Sequence, residues 1–188
     1  MDTAPDYDYL SLQLAFYLAS WGMYRGSSFL LQKDYKVHVP VVEELLKPQY
    51  DCLFGLECVK LRDAETQNKL EELQTVIKIA YTDIRKSVKE KEVLHEVSNT
   101  LITKVLMGTL GCVPAFDRFF VEGVKALKVT MGFYDIKKSL LPLVDFYVNN
   151  RSKFEDTRNK MKVYDLPYPQ MKLLDMGFWQ IGYETVNR

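Results

Sequence analysis

Apolar residues along this chain return at steps of three and four, with no alternating run long enough to predict a sheet, so the pattern predicts an all-α protein. Tyr7, Leu10, Leu14, Tyr17 and Trp21 keep that spacing, while Ala15, Phe16 and Ala19 fill the other side. A helix that is apolar on most sides belongs in the middle of a bundle, with Trp21 in the core. The clearest element runs from about Asp63 to Lys91, where Leu70, Leu73, Ile77, Ala80, Ile84 and Val88 form one stripe. With only about three heptads, a helix docked on its own domain outweighs a coiled coil. A further helix is predicted from Val97 to Leu110, closed by Gly111, and Pro114 then sits at the first position of the next one. Phe116, Phe120, Val124 and Leu127 make that helix's inner face.

Two more helices are expected over Ile136–Asn149, with a late start at Pro142, and over Ser152–Lys162, mostly charged and exposed. Leu166-Pro-Tyr-Pro169 reads as a stiff connector to a last helix carrying Met171, Leu174, Phe178 and Ile181. Earlier, Gly26 breaks the first helix, and Ser27 or Ser28 can cap a new one. Beside Arg25, such a helix start could hold an anion, although a plain capped turn is the commoner outcome. Pro40 and Pro48 bracket a short helix, His38 before it is expected in a loop, and residues 49–61 are ambiguous because Gly55 weakens a helical reading. The expectation is a single compact domain spanning 1–188, with about eight to ten helices.

Composition changes little in this picture. Net formal charge is zero, and residues 1–93 carry 12 basic against 15 acidic groups, an excess of three too small to demand a nucleic-acid partner. The acidic N-terminus lacks the pattern of a secretory signal. The Leu10–Trp21 run is too short and too interrupted for a membrane span. Three cysteines, Cys52, Cys58 and Cys112, fit reduced thiols, which points to the cytoplasm. His38 and His95 lie apart from any cysteine cluster, so no metal site and no cofactor are expected.

Candidate chemistry concentrates between Thr103 and Phe120, where Lys104, Asp117 and Arg118 stand among apolar residues. On a helix opened by Pro114, Asp117 falls at the margin of the buried face, and the same reasoning buries Asp175 in the last helix. An unpaired carboxylate there would cost several kcal/mol. Each therefore needs a charge-assisted partner: Arg25, Lys104, a tyrosine hydroxyl or the N–H groups of a helix start.

Thr103-Lys104-Val105 followed by Val113-Pro114-Ala-Phe-Asp117 resembles the core of the helix-hairpin-helix base-excision DNA glycosylases. In that family a Thr-Lys-Val helix leads to a Val-Pro-x-Asp element. The resemblance implies that Lys104 would attack a sugar carbon and that Asp117 would assist. It departs where the family's Gly-rich hairpin precedes the lysine, because His95–Ile102 contains no glycine, and one residue is added between Pro114 and Asp117. The segments Leu18–Leu31 and Met171–Trp179 are similar to stretches of bacterial proteins and imply no activity. Two functions follow as expectations. One is a nucleic-acid-associated protein with a degenerate glycosylase-like core: Lys104 and Asp117 as catalytic candidates, and Arg25, Ser27, Ser28, Arg118 and Asp175 as binding candidates. The other is a non-catalytic helical module that binds a protein partner. A basic cleft beside Asp117 would favour the first, and a dry core there the second.

Overall fold

The computed structural model describes residues 4–26, 28–88, 96–133 and 135–187. Among them run eight α-helices: α1 (Tyr7–Ser20), α2 (Val39–Leu45), α3 (Ala64–Val88), α4 (Asn99–Thr109), α5 (Arg118–Ala126), α6 (Ile136–Asn149), α7 (Arg151–Lys160) and α8 (Gln170–Val186). The fold is all-α. A two-residue antiparallel hairpin, β1 (Lys162–Val163) with β2 (Leu166–Pro167), occupies part of the segment read as a stiff connector. Residues 49–61 resolve into two 3-10 turns, Pro48–Leu53 and Cys58–Arg62, with Gly55 at φ +58° between them.

The central element is α4. Every residue from Leu101 to Met107 is buried, and Val105 and Leu106 are wholly so. Around it, α3 docks through Leu70, Leu73, Ile77 and Tyr81, all buried, which settles the long helix as a docked one. The helix α1 is not central: Tyr9 and Phe16 are 56% and 65% exposed, and only Ser11, Leu14, Ala15 and Leu18 face inward. Its aromatic residues widened the apparent apolar face beyond the side that packs. Trp21 follows the last turn of α1, half-buried rather than in the core. The helix stops at Gly22, φ +70°, not at Gly26.

The chain from Cys112 to Asp117 is irregular, bent at Val113 and with the Asp117 N–H bonded to the Ala115 carbonyl at 2.9 Å, so Pro114 does not open a helix. Asp117 is the N-cap of α5 instead, its Oδ1 accepting the Phe120 N–H at 3.0 Å, which satisfies one orphan donor of the first turn. Phe120 and Val124 are buried as expected, Phe116 is buried from the loop, and Leu127 is 48% exposed. Pro142 lies inside α6, which starts at Ile136 without delay. The helix α7 buries none of its residues.

Two glycines fix how α5 meets α8. A Cβ on Gly123 would run into the Phe178 carbonyl, and one on Gly182 into the Phe119 carbonyl. The two backbones therefore touch where any side chain would hold them apart, and Phe120 meets Phe178 edge-on at 5.8 Å beside this crossing. At the end of α4, Gly111 takes φ +67° and packs its α-carbon against Pro169.

Candidate functional site

The irregular segment between α4 and α5 is buried, and its backbone polar groups need partners that a helix would have supplied locally. Side chains from two helices provide them. Thr103 Oγ1 accepts the Phe116 N–H at 2.9 Å, and Thr100 Oγ1 donates to the Phe116 carbonyl at 2.8 Å. From α8, Asp175 Oδ1 accepts the Ala115 N–H at 2.9 Å. This lacing places Asp117 at the mouth of a cleft of about 800 Å³.

Arg25, Lys104, Asp117 and Arg118 all line that cleft. Its walls carry Trp21, Tyr24, Phe119 and Trp179. Lys104 is only 5% exposed; its Nζ donates to the Trp21 carbonyl at 3.0 Å and lies 5.4 Å from the Trp21 ring centre. Burial lowers its pKa, and Arg25 pushes the same way against the opposing pull of Asp117 and Asp175. No ion pair within 4 Å joins Lys104 to Asp117, so the direct pairing considered for Asp117 is replaced by its N-cap bond. The Arg25 guanidinium lies against Gly22, where a Cβ would stand 2.7 Å from Nε.

On the far wall Arg118 stacks 5.8 Å from the Phe119 ring centre, Phe119 meets Trp179 edge-on at 5.2 Å, and Trp179 stacks on Tyr183 at 5.3 Å. Three cations against one carboxylate, with a ladder of half-buried aromatic rings beside them, make a surface that attracts anions. Arg25 also lines an adjoining cleft of about 640 Å³ together with Ser28. Ser28 caps a short 3-10 turn, its Oγ accepting the Leu30 N–H at 3.3 Å. Ser27 lies outside the described residues.

Asp175 does not reach the cleft. It is 1% exposed, held by the Ala115 N–H and by Lys172 Nζ at 3.6 Å, with Oδ2 otherwise lacking a hydrogen-bond partner. Burial pushes its pKa up to about 6 against the lowering influence of Lys172. It serves the cleft from behind, by anchoring the loop that presents Asp117.

One feature escaped the sequence. His38 is not a loop residue: it is fully buried, its Nε2 2.6 Å from Tyr24 Oη and its Nδ1 2.7 Å from Tyr81 Oη. Burial lowers its pKa to about 4, so the ring is neutral at pH 7. Two tyrosines and a histidine separated by fourteen and forty-three positions carry no local signal.

Among the described residues no cluster of three His, Cys, Asp or Glu side chains forms a metal-sized group, and no helix is long and apolar enough to cross a membrane. Comparison of the chain with protein-family models, with curated proteins and with solved structures gave no significant match.

Proposed function

We propose that the chain binds nucleic acid through the cleft between the end of α1, the middle of α4, the start of α5 and the middle of α8. The observation that supports this reading most is the company Asp117 keeps: Arg25, Lys104 and Arg118 line one cavity with Trp21, Phe119 and Trp179. Cations at the rim can track a phosphate backbone while the half-buried aromatic rings of the walls stack with unpaired bases, each stacked base contributing about 1–3 kcal/mol. Lys104 and Asp117 are the groups that the glycosylase-like resemblance would make catalytic, and they lie on the same cavity. The amine's lowered pKa raises the share of neutral, nucleophilic Lys104.

The test is a fluorescence-anisotropy titration with single- and double-stranded DNA at about 50 and 200 mM salt. Salt-sensitive binding is expected, weakened in Arg25→Ala and in Arg118→Ala. A slope shallower by about 0.7 on single strands is expected for each phosphate contact removed. A second reading, a protein-interaction module, is favoured by an apolar groove of about 460 Å³ between α6, α7 and α8, floored by Phe146, Leu174 and Phe178. A parent protein without salt-sensitive DNA binding would leave that second reading in place.

A further inference from the structure

The Tyr24, His38 and Tyr81 chain fixes the direction in which its protons run. Tyr81 is wholly buried, and among the described residues the single hydrogen-bond partner of its hydroxyl is Nδ1 of His38. A phenol proton turned away from that nitrogen would be buried with no acceptor, so Tyr81 donates and Nδ1 accepts. A neutral imidazole then carries its one proton on Nε2, which faces Tyr24 Oη at 2.6 Å. His38 therefore donates to Tyr24, and the oxygen of Tyr24 is the acceptor in that bond. The reverse order would place an N–H against Tyr81 and strand the Tyr81 proton in the core. Tyr24 itself is only part-buried and lines the cleft next to Arg25.

We propose that Tyr24 is an oriented hydrogen-bond donor of the cleft: with its oxygen engaged by His38, its own proton is left for an acceptor oxygen on the ligand. On the nucleic-acid reading, on which this rests, that oxygen belongs to a strand whose phosphate charge Arg25 meets alongside. The chain thus makes a neutral donor out of a side chain that could otherwise accept or donate, and it does so from the core, through His38 and then Tyr81, which lies 43 positions beyond His38 in sequence. A ligand offering only donors at this point would meet the phenol proton and be disfavoured. An acceptor would be met without any side-chain rearrangement.

Two measurements decide it. Because His38 and His95 are the chain's two histidines, a His95→Gln protein leaves a single imidazole for nitrogen-15 NMR. The proton is expected on Nε2 of His38, and a proton on Nδ1 would overturn the inference whatever the protein binds. The second is anisotropy with a short single-stranded oligothymidylate. Tyr24→Phe should weaken binding about five-fold while leaving the salt slope unchanged, since no charge is removed; Arg25→Ala should flatten the slope. Because Tyr24→Phe also deprives His38 of its acceptor, 3-fluorotyrosine at position 24 keeps the fold and sharpens the donor: binding should tighten. Unchanged or weaker binding by the fluorinated protein overturns the donor role. If the parent binds no oligothymidylate while the proton is on Nε2, the nucleic-acid reading and the ligand named here fail, and the proton order alone stands.

Discussion

Replacing Asp175 by Asn should stabilise the protein at neutral pH and leave it nearly unchanged in acid. The carboxyl is 1% exposed, and burial raises its pKa from 3.8 to about 6. A raised acid means that the folded state binds its proton more tightly than the unfolded state does. Its contribution to stability is therefore fully present below pH 3.8 and is lost as pH rises through about 6. The difference of about 2.2 pKa units corresponds to about 3 kcal/mol. Asparagine resembles the protonated acid: its amide oxygen can still accept the Ala115 N–H, and it carries no charge to desolvate. The variant's gain over the parent should be under about 1 kcal/mol at pH 4 and approach about 3 kcal/mol at pH 7.5. Urea melts of both proteins across that range measure it. His38, held neutral with its pKa lowered from 6.5 to about 4, acts in the opposite sense: its contribution is present above 6.5 and lost as pH falls through about 4. It is common to both proteins, so the difference at each pH removes it. The parent's own profile should be flatter than that of Asp175→Asn, which loses the opposing slope. A variant less stable than the parent at pH 7.5 would refute the reasoning. It would mean that Lys172 and the Ala115 N–H hold the carboxylate more strongly than burial penalises it.

The remaining expectations concern the frame and the cleft. Gly123→Ala and Gly182→Ala should each lose about 3 kcal/mol in denaturant melts, because the added methyl meets a backbone carbonyl of the facing helix rather than a movable side chain. A loss under about 0.5 kcal/mol would show that α5 and α8 can separate freely. Phe120→Ala should cost about 3–5 kcal/mol, whereas Trp21→Ala, half-buried at the cleft, should cost less and weaken DNA binding instead. If Lys104 is nucleophilic toward an abasic-site aldehyde, its amine adds to the carbonyl carbon, water leaves, and borohydride reduces the imine to a stable secondary amine. A gel-shifted adduct is expected for the parent and none for Lys104→Ala; bound abasic DNA without an adduct would assign Lys104 to binding alone.

Amphipathic spacing was enough to locate α3, α6 and α8, since each buries a stripe that repeats every three or four residues, whereas α4 is buried all round from Leu101 to Met107. It failed where the burying partner is distant in sequence. Around Pro114 the local signal is proline at a first helical turn, yet the segment stays non-helical, with Thr100, Thr103 and Asp175 satisfying its polar groups from two other helices. Asp117 was then misplaced on a wheel, although an aspartate three positions before a phenylalanine amide is also an N-cap arrangement. On α1, Tyr7 and Phe16 belong to the apolar pattern, yet they are 36% and 65% exposed, because an apolar side chain is not obliged to be buried. The cleft was legible only in part. Lys104 and Asp117 could be paired through the resemblance, while Trp21 as the acceptor for Lys104, and Tyr24 with its buried histidine, depend on tertiary contacts that spacing does not encode.

The polar groups of this region are arranged so that the folded chain has already met the desolvation that a ligand would otherwise require. Lys104 keeps a single hydrogen bond to a neutral carbonyl, and its nearest carboxylates lie beyond ion-pair reach among the described residues. Burial works against its charged form, so any anion entering the cleft favours that form and is favoured by it in return. Asp117 offsets only part of the local positive charge, because it is one carboxylate against Arg25, Lys104 and Arg118. The Gly123 and Gly182 crossing on one side and the threonine and Asp175 lacing on the other position the backbone of α5 and of the loop that presents Asp117. With Lys104 and Asp117 not joined in an ion pair, the lysine and the arginines would remain available to a phosphate on the proposed nucleic-acid reading.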